Sequence, residues 1–93
     1  MINNDYSKGL NNLACAQVLY GMSIQDQDMM MQGLGALERA LALSPATVMY
    51  WRNAAILLAL VGEEEQAAGS WDRAQQIEPG EWPSECIWEF NLR

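Results

Sequence analysis

The sequence predicts an all-α fold built from antiparallel helical hairpins. Three observations predict it. First, Gly33–Pro45 and Ala67–Pro79 align at a spacing of 34 residues, with Gly35/Gly69, Arg39/Arg73, Ala40/Ala74 and Pro45/Pro79 identical. A fixed period of that length marks stacked helix-turn-helix units. Second, apolar residues recur at helical rather than alternating spacing. Third, the breaks fall where helices stop: Gly21 with Ser23–Asp26, Ser44-Pro45, Gly62, and Glu78-Pro79-Gly80.

The first helix is expected to start from a cap at Asp5 or Ser7 and to run toward Met22, with Leu10, Leu13, Ala14, Gln17 and Tyr20 on its apolar side. Gly21 and the polar stretch after it are expected to end it. Asp26 or Asp28 caps a second helix over about 28–43, with an apolar stripe through Met30, Leu34, Leu37 and Leu41. Ser44-Pro45 stops it, because the residue before proline avoids the helical region. A third helix, about 46–61, is apolar on most sides and should be the central, most buried one. Gly62 suits a left-handed cap at its end. Glu63-Glu64-Glu65 open a fourth helix, where carboxylates suit the positive end of the helix dipole. Its apolar side carries Ala67, Trp71, Ala74 and Ile77. For the tail, 81–93, two readings stay open. A short capping helix with Pro83 in its first turn is one. A strand with Cys86, Trp88, Phe90 and Leu92 on one face is the other, but it lacks a partner strand.

Composition narrows the function. A length of 93 residues fits one domain, 1–93, burying about 64% of its unfolded surface. Half the residues are hydrophobic, too many for a disordered chain. The net charge of −7 argues against nucleic acid and against anionic membrane surfaces. No apolar run reaches a membrane span. The N-terminus lacks the basic-then-apolar shape of a signal peptide, so a cytoplasmic location is expected. Cys15 and Cys86 are far apart and the chain has no histidine, so neither a zinc site nor any cofactor is expected; both cysteines are read as thiols in a reducing compartment. No nucleophile elbow, phosphate loop or metalloprotease motif is present, and the carboxylate runs read as helix starts. An enzyme is therefore not expected.

The second unit, residues 48–79, resembles a tetratricopeptide (TPR) repeat. Trp51 stands at the first large aromatic of that motif, Ala55 and Ala67 at its small positions, and Leu58 at its next bulky one. Gly62 is at the turn, Trp71 at the second aromatic, Ala74 at the second alanine and Pro79 at the closing proline. Ala54 departs from the leucine the motif prefers. The first unit, about 14–45, is degenerate. Gly21 and Gly33 hold the small positions, but Gln17 replaces the aromatic and no glycine marks the turn at Gln27-Asp28-Met29. Its hairpin is therefore expected to bend earlier, near Ser23. Trp51 and Trp71 are expected in the core, with Trp71 between one unit and the next.

The resemblance implies binding of another protein. It places the partner surface on the first helix of each unit: Cys15, Val18, Leu19 and Met22, then Met49, Arg52, Asn53, Ile56 and Leu60. That set is mostly apolar and suits an amphipathic helix in a groove. Arg52 and Asn53 alone, without a lysine cluster, do not make a carboxylate clamp. Met29-Met30-Met31 cannot all face one core, so at least one is expected at a surface or interface. Trp82 and Trp88 are read either as interface anchors or as a cap on the fourth helix. In size, acidity and repeat character the chain is also similar to small TPR-like type III secretion chaperones, which hold an aggregation-prone secretion subunit. The alternative is a scaffold that pairs with its own copy, because two repeats leave two outer faces to cover.

Overall fold

The computed structural model describes residues 4–82, and over them the chain forms four α-helices and no strand. They are α1 (Asn4–Ser23), α2 (Gln27–Leu43), α3 (Val48–Leu60) and α4 (Glu64–Ile77). The tail from residue 83, with Cys86 and Trp88, lies outside the described residues. α1 packs along α2 and α3 along α4, as two hairpins. The hairpins join through α3, which lies against both α1 and α2. Among the described helices, α4 closely approaches α3 alone.

Both hairpins turn by the same device. A residue in the left-handed region follows the helix, and the two N–H groups around it return to the carbonyls of the last turn. In the second hairpin Gly62 takes φ +90, its N–H reaches Ala59 O at 3.1 Å, and Glu63 N–H reaches Leu58 O at 2.8 Å. In the first hairpin Gln25 takes φ 57, its N–H reaches Met22 O at 3.3 Å, and Asp26 N–H reaches Gly21 O at 2.8 Å. The bend near Ser23 is thus as expected, with glutamine where a glycine would be easiest. Asp26 then caps α2, its side chain accepting from Met29 N at 3.1 Å.

The core is one cluster spanning both hairpins: Leu10, Ala14, Cys15 and Val18 from α1, Ala36, Leu37 and Ala40 from α2, and Tyr50, Ala54, Ile56 and Leu57 from α3. α3 is the central element, buried without interruption from Asn53 to Leu57. Small residues set the closeness of the first pair. A Cβ on Gly33 would stand 2.8 Å from Val18 Cγ2 and 3.0 Å from Ala14 O. Gly21 does not end α1. It lies inside the helix, where a Cβ would meet Met30 Cγ at 2.9 Å. Ala55 and Ala67, the residues 34 positions on, are buried in the second pair.

Other expectations are corrected. The buried side of α1 carries Ser7, Leu10, Asn11, Ala14, Cys15 and Val18, while Leu13 and Tyr20 are exposed. Ser7 is no cap but a buried residue within α1, its Oγ 3.3 Å from Ser44 Oγ. Asn11 enters the core because Asn53 Nδ2 donates to its Oδ1 at 2.7 Å, and a satisfied amide can be buried. Trp51 and Trp71 are half-buried and stand outside the core cluster. The Trp51 indole N–H donates to Pro45 O at 2.7 Å, which holds the ring at the edge of the hairpin. Trp71 occupies the position equivalent to Leu37, which the second hairpin covers; Trp82 packs on Trp71 at 5.0 Å between ring centroids. The repeated arginines serve each hairpin alike. Arg39 lies over the Tyr6 ring at 5.9 Å and Arg73 over the Trp51 ring at 5.3 Å.

Candidate functional site

α2 and α4 both lean on α3 without closing on each other, and this leaves a groove between them. Its volume is about 500 Å³. Trp51, Ala54 and Leu58 of α3 form the floor; Met31, Leu34, Gly35, Leu37 and Leu41 form the α2 wall. Gln66 and Ser70 of α4 stand opposite, and Glu38 and Glu63 add carboxylates to the lining. The lining is mostly apolar and its charged members, Glu38 and Glu63, are acidic, while the Arg73 guanidinium lies over the Trp51 ring. Gly35 keeps its wall low, with nothing within 4 Å of where a Cβ would lie.

A second depression, about 900 Å³, lies where the α1–α2 turn meets the end of α3. It is wide and open, and Gln25, Asp26, Gln27 and Asp28 line much of it beside Met22, Met30 and Leu60. Its polar turn makes it the poorer receptor for an apolar side chain.

The residues expected on the partner surface disperse. Val18 and Asn53 are fully buried and Ile56 nearly so, at 0%, 0% and 7% exposure. Each is committed to the contact between helices: Val18 to Gly33, Asn53 to Asn11, Ile56 to the common core. Cys15 is buried with them. Met49 is half-buried against the core. Arg52 is half-buried, and its Nη2 donates to Glu78 O at 2.9 Å, so it ties α3 to the end of α4. Among the described residues its Nε finds no hydrogen-bond partner. Met22 and Met30 both line the second depression. Met29 is half-buried at the start of α2, and Met31, 67% exposed, stands at the groove. Trp82 is half exposed, and its ring meets that of Trp71 at a tilt of 56°.

Of the expected site residues that are described, Met31 alone lines the groove. Leu34, Trp51 and Leu58, which the sequence offers as stripe and motif residues, line it instead. Gly35 is identical to Gly69 in the repeat, but only Gly35 lines the groove, so the identity does not point to it. No family model, curated protein or solved structure matches this chain. Among the described residues no helix is long and apolar enough to cross a membrane, and no cluster of three histidine, cysteine or acidic side chains could hold a metal ion.

Proposed function

We propose that this chain is a protein-interaction module of the TPR type that holds an amphipathic helical segment of another protein. The observation that carries the reading is the α2–α4 groove, an apolar trough with Glu38 and Glu63 in its lining on a chain of net charge −7. Apolar side chains at helical spacing would seat on Leu34, Trp51 and Leu58, and basic residues flanking them would meet the carboxylates. The 34-residue repeat, folded as two successive hairpins, supports the repeat-family reading. Its most concrete version is a small chaperone that shields an apolar helix of a secretion-system subunit, and that version rests on likeness in size and acidity.

A designed helical peptide tests the reading, with leucines at i, i+3, i+4 and i+7 and lysines on its other face. Trp51 lines the groove, so its fluorescence should shift on binding and the Trp51→Phe variant should lose that change. Met31→Lys, at an exposed position, should weaken binding at least tenfold without altering helicity, because it removes an apolar contact and repels the peptide's lysines. Added salt should weaken binding as well. A peptide that does not bind, or binds Met31→Lys equally well, would remove the groove as the site.

A further inference from the structure

The side of α1 that faces away from the molecule is apolar, and the repeat identifies what kind of surface it is. α3 buries Tyr50, Asn53, Ala54 and Leu57 in the core that it shares with the first hairpin. Thirty-four residues earlier stand Ala16, Leu19, Tyr20 and Ser23 of α1, and all four are exposed. Leu13 at 45% and Ile24 at 47% exposure extend the patch, beside Tyr20 at 58%. A surface that receives a hairpin inside the chain is thus present a second time, uncovered.

We propose that a second copy of this chain covers it, α1 against α1 about a twofold axis. Three observations select that occupant. The first is charge. The chain carries −7 in all, but the only charged side chains of residues 4–23 are Asp5 and Lys8, which cancel. α1 is therefore where two copies of an acidic protein can approach with little repulsion. The second is the opposite end of the molecule. There Trp82 packs on Trp71, the residue equivalent to the Leu37 that the second hairpin covers, so the face at which a following hairpin would dock already carries one of this chain's own side chains. A further copy could stack head-to-tail there only by displacing Trp82, whereas a closed pair of like α1 faces leaves that end as it is. The third is area. Leu13, Leu19, Tyr20, Ile24 and Tyr6 are each about half exposed. At roughly 100 Å² apiece they offer about 500 Å² per copy, or about 1,000 Å² for the pair, the lower bound of a specific interface. The dimer is accordingly a weak, reversible one. Tyr6 and Tyr20 lie seven residues either side of Leu13, so an antiparallel crossing at Leu13 sets each tyrosine of one copy near the other tyrosine of its mate.

Sedimentation velocity of the full chain over a concentration series tests this. The expected result is a reversible monomer–dimer equilibrium in the micromolar range. Leu13→Lys with Tyr20→Lys should be monomeric throughout, with an unchanged far-ultraviolet circular dichroism spectrum. Should that double variant misfold, Leu19→Lys alone should still weaken the dimer at least tenfold. Met31→Lys should leave it intact. A wild-type chain that stays monomeric at about 1 mM, a dimer that survives the α1 substitutions, or one that Met31→Lys dissolves would each overturn the proposal. The inference is independent of the groove: the monomeric variant should bind the helical peptide as the wild type does.

Discussion

The two hairpins use one turn at two different places, and the displacement explains the most unusual run in the sequence. Gly62 closes the second hairpin, so a strict 34-residue repeat would put the first closing residue at Asp28. The left-handed residue is Gln25 instead, three positions earlier. α1 stops nearly a turn sooner than α3 does in repeat register, and α2 starts nearly a turn sooner than α4. That added turn is Gln27–Met29. It brings Met29 and Met30 half-buried to the end of the bundle and leaves Met31 exposed at the groove. The small positions did not move: Gly21 and Gly33 face each other's helices, as Ala55 and Ala67 are buried in theirs. Helix crossing is held in register by packing, whereas the turn shifts wherever a residue tolerates positive φ.

The largest expected effect separates the two crossings. Gly33→Leu must displace Val18 and the Ala14 backbone, and about 3 kcal/mol or more of stability should be lost. Ala67→Leu, at the equivalent position, starts from a site that already accommodates a methyl group and should lose about 1–3 kcal/mol. Glu64→Leu, on the exposed side of α4, should stay within about 0.5 kcal/mol. Urea denaturation ranks the three. If Ala67→Leu matched Glu64→Leu, the close pairing of α3 with α4 would be wrong.

The next effect tests the join between hairpins. Asn53→Leu removes the donor to Asn11 Oδ1 and leaves a buried oxygen without that bond, which should lose about 1–3 kcal/mol. Asn11→Leu combined with Asn53→Leu should recover part of the loss, because the buried Asn11 oxygen is then removed together with its donor. A double-mutant cycle with additive losses would show that the amides do not act as a pair.

How far the sequence was legible follows from which forces are local. Helix number, order and approximate ends were readable, because proline, glycine and capping chemistry act within a few residues. The displaced turn was readable too, from the missing glycine at Gln27-Asp28-Met29. The facing of α1 was not. Leu13 and Tyr20 look like core and Asn11 like surface until Asn53, 42 residues away, supplies a hydrogen bond that makes burial of an amide tolerable. The groove was least legible, since it exists because α2 and α4 stay apart. No local pattern in Leu34, Trp51 or Leu58 states a distance between two helices. Assigning the partner surface to the first helix of each unit therefore put Val18, Asn53 and Ile56 on a face that the fold had already used for packing.

The smallest expected effect goes to the turns themselves. An L-residue in the left-handed region brings its Cβ too close to the following carbonyl, at about 1–2 kcal/mol. Gln25 bears that strain at φ 57, whereas Gly62 at φ +90 does not. Glycine carries an entropic disadvantage of about 0.5–1 kcal/mol relative to alanine, which offsets part of any gain. Gln25→Gly should therefore stabilise the chain by up to about 1 kcal/mol, and Gly62→Ala should destabilise it by a similar amount. The signs are opposite although both substitutions touch the same position of the same motif. Thermal unfolding followed at 222 nm measures both. Gln25→Gly that lowers the midpoint would mean that the first hairpin does not turn through a left-handed residue at 25. The explanation of the methionine run by an added helical turn would fall with it.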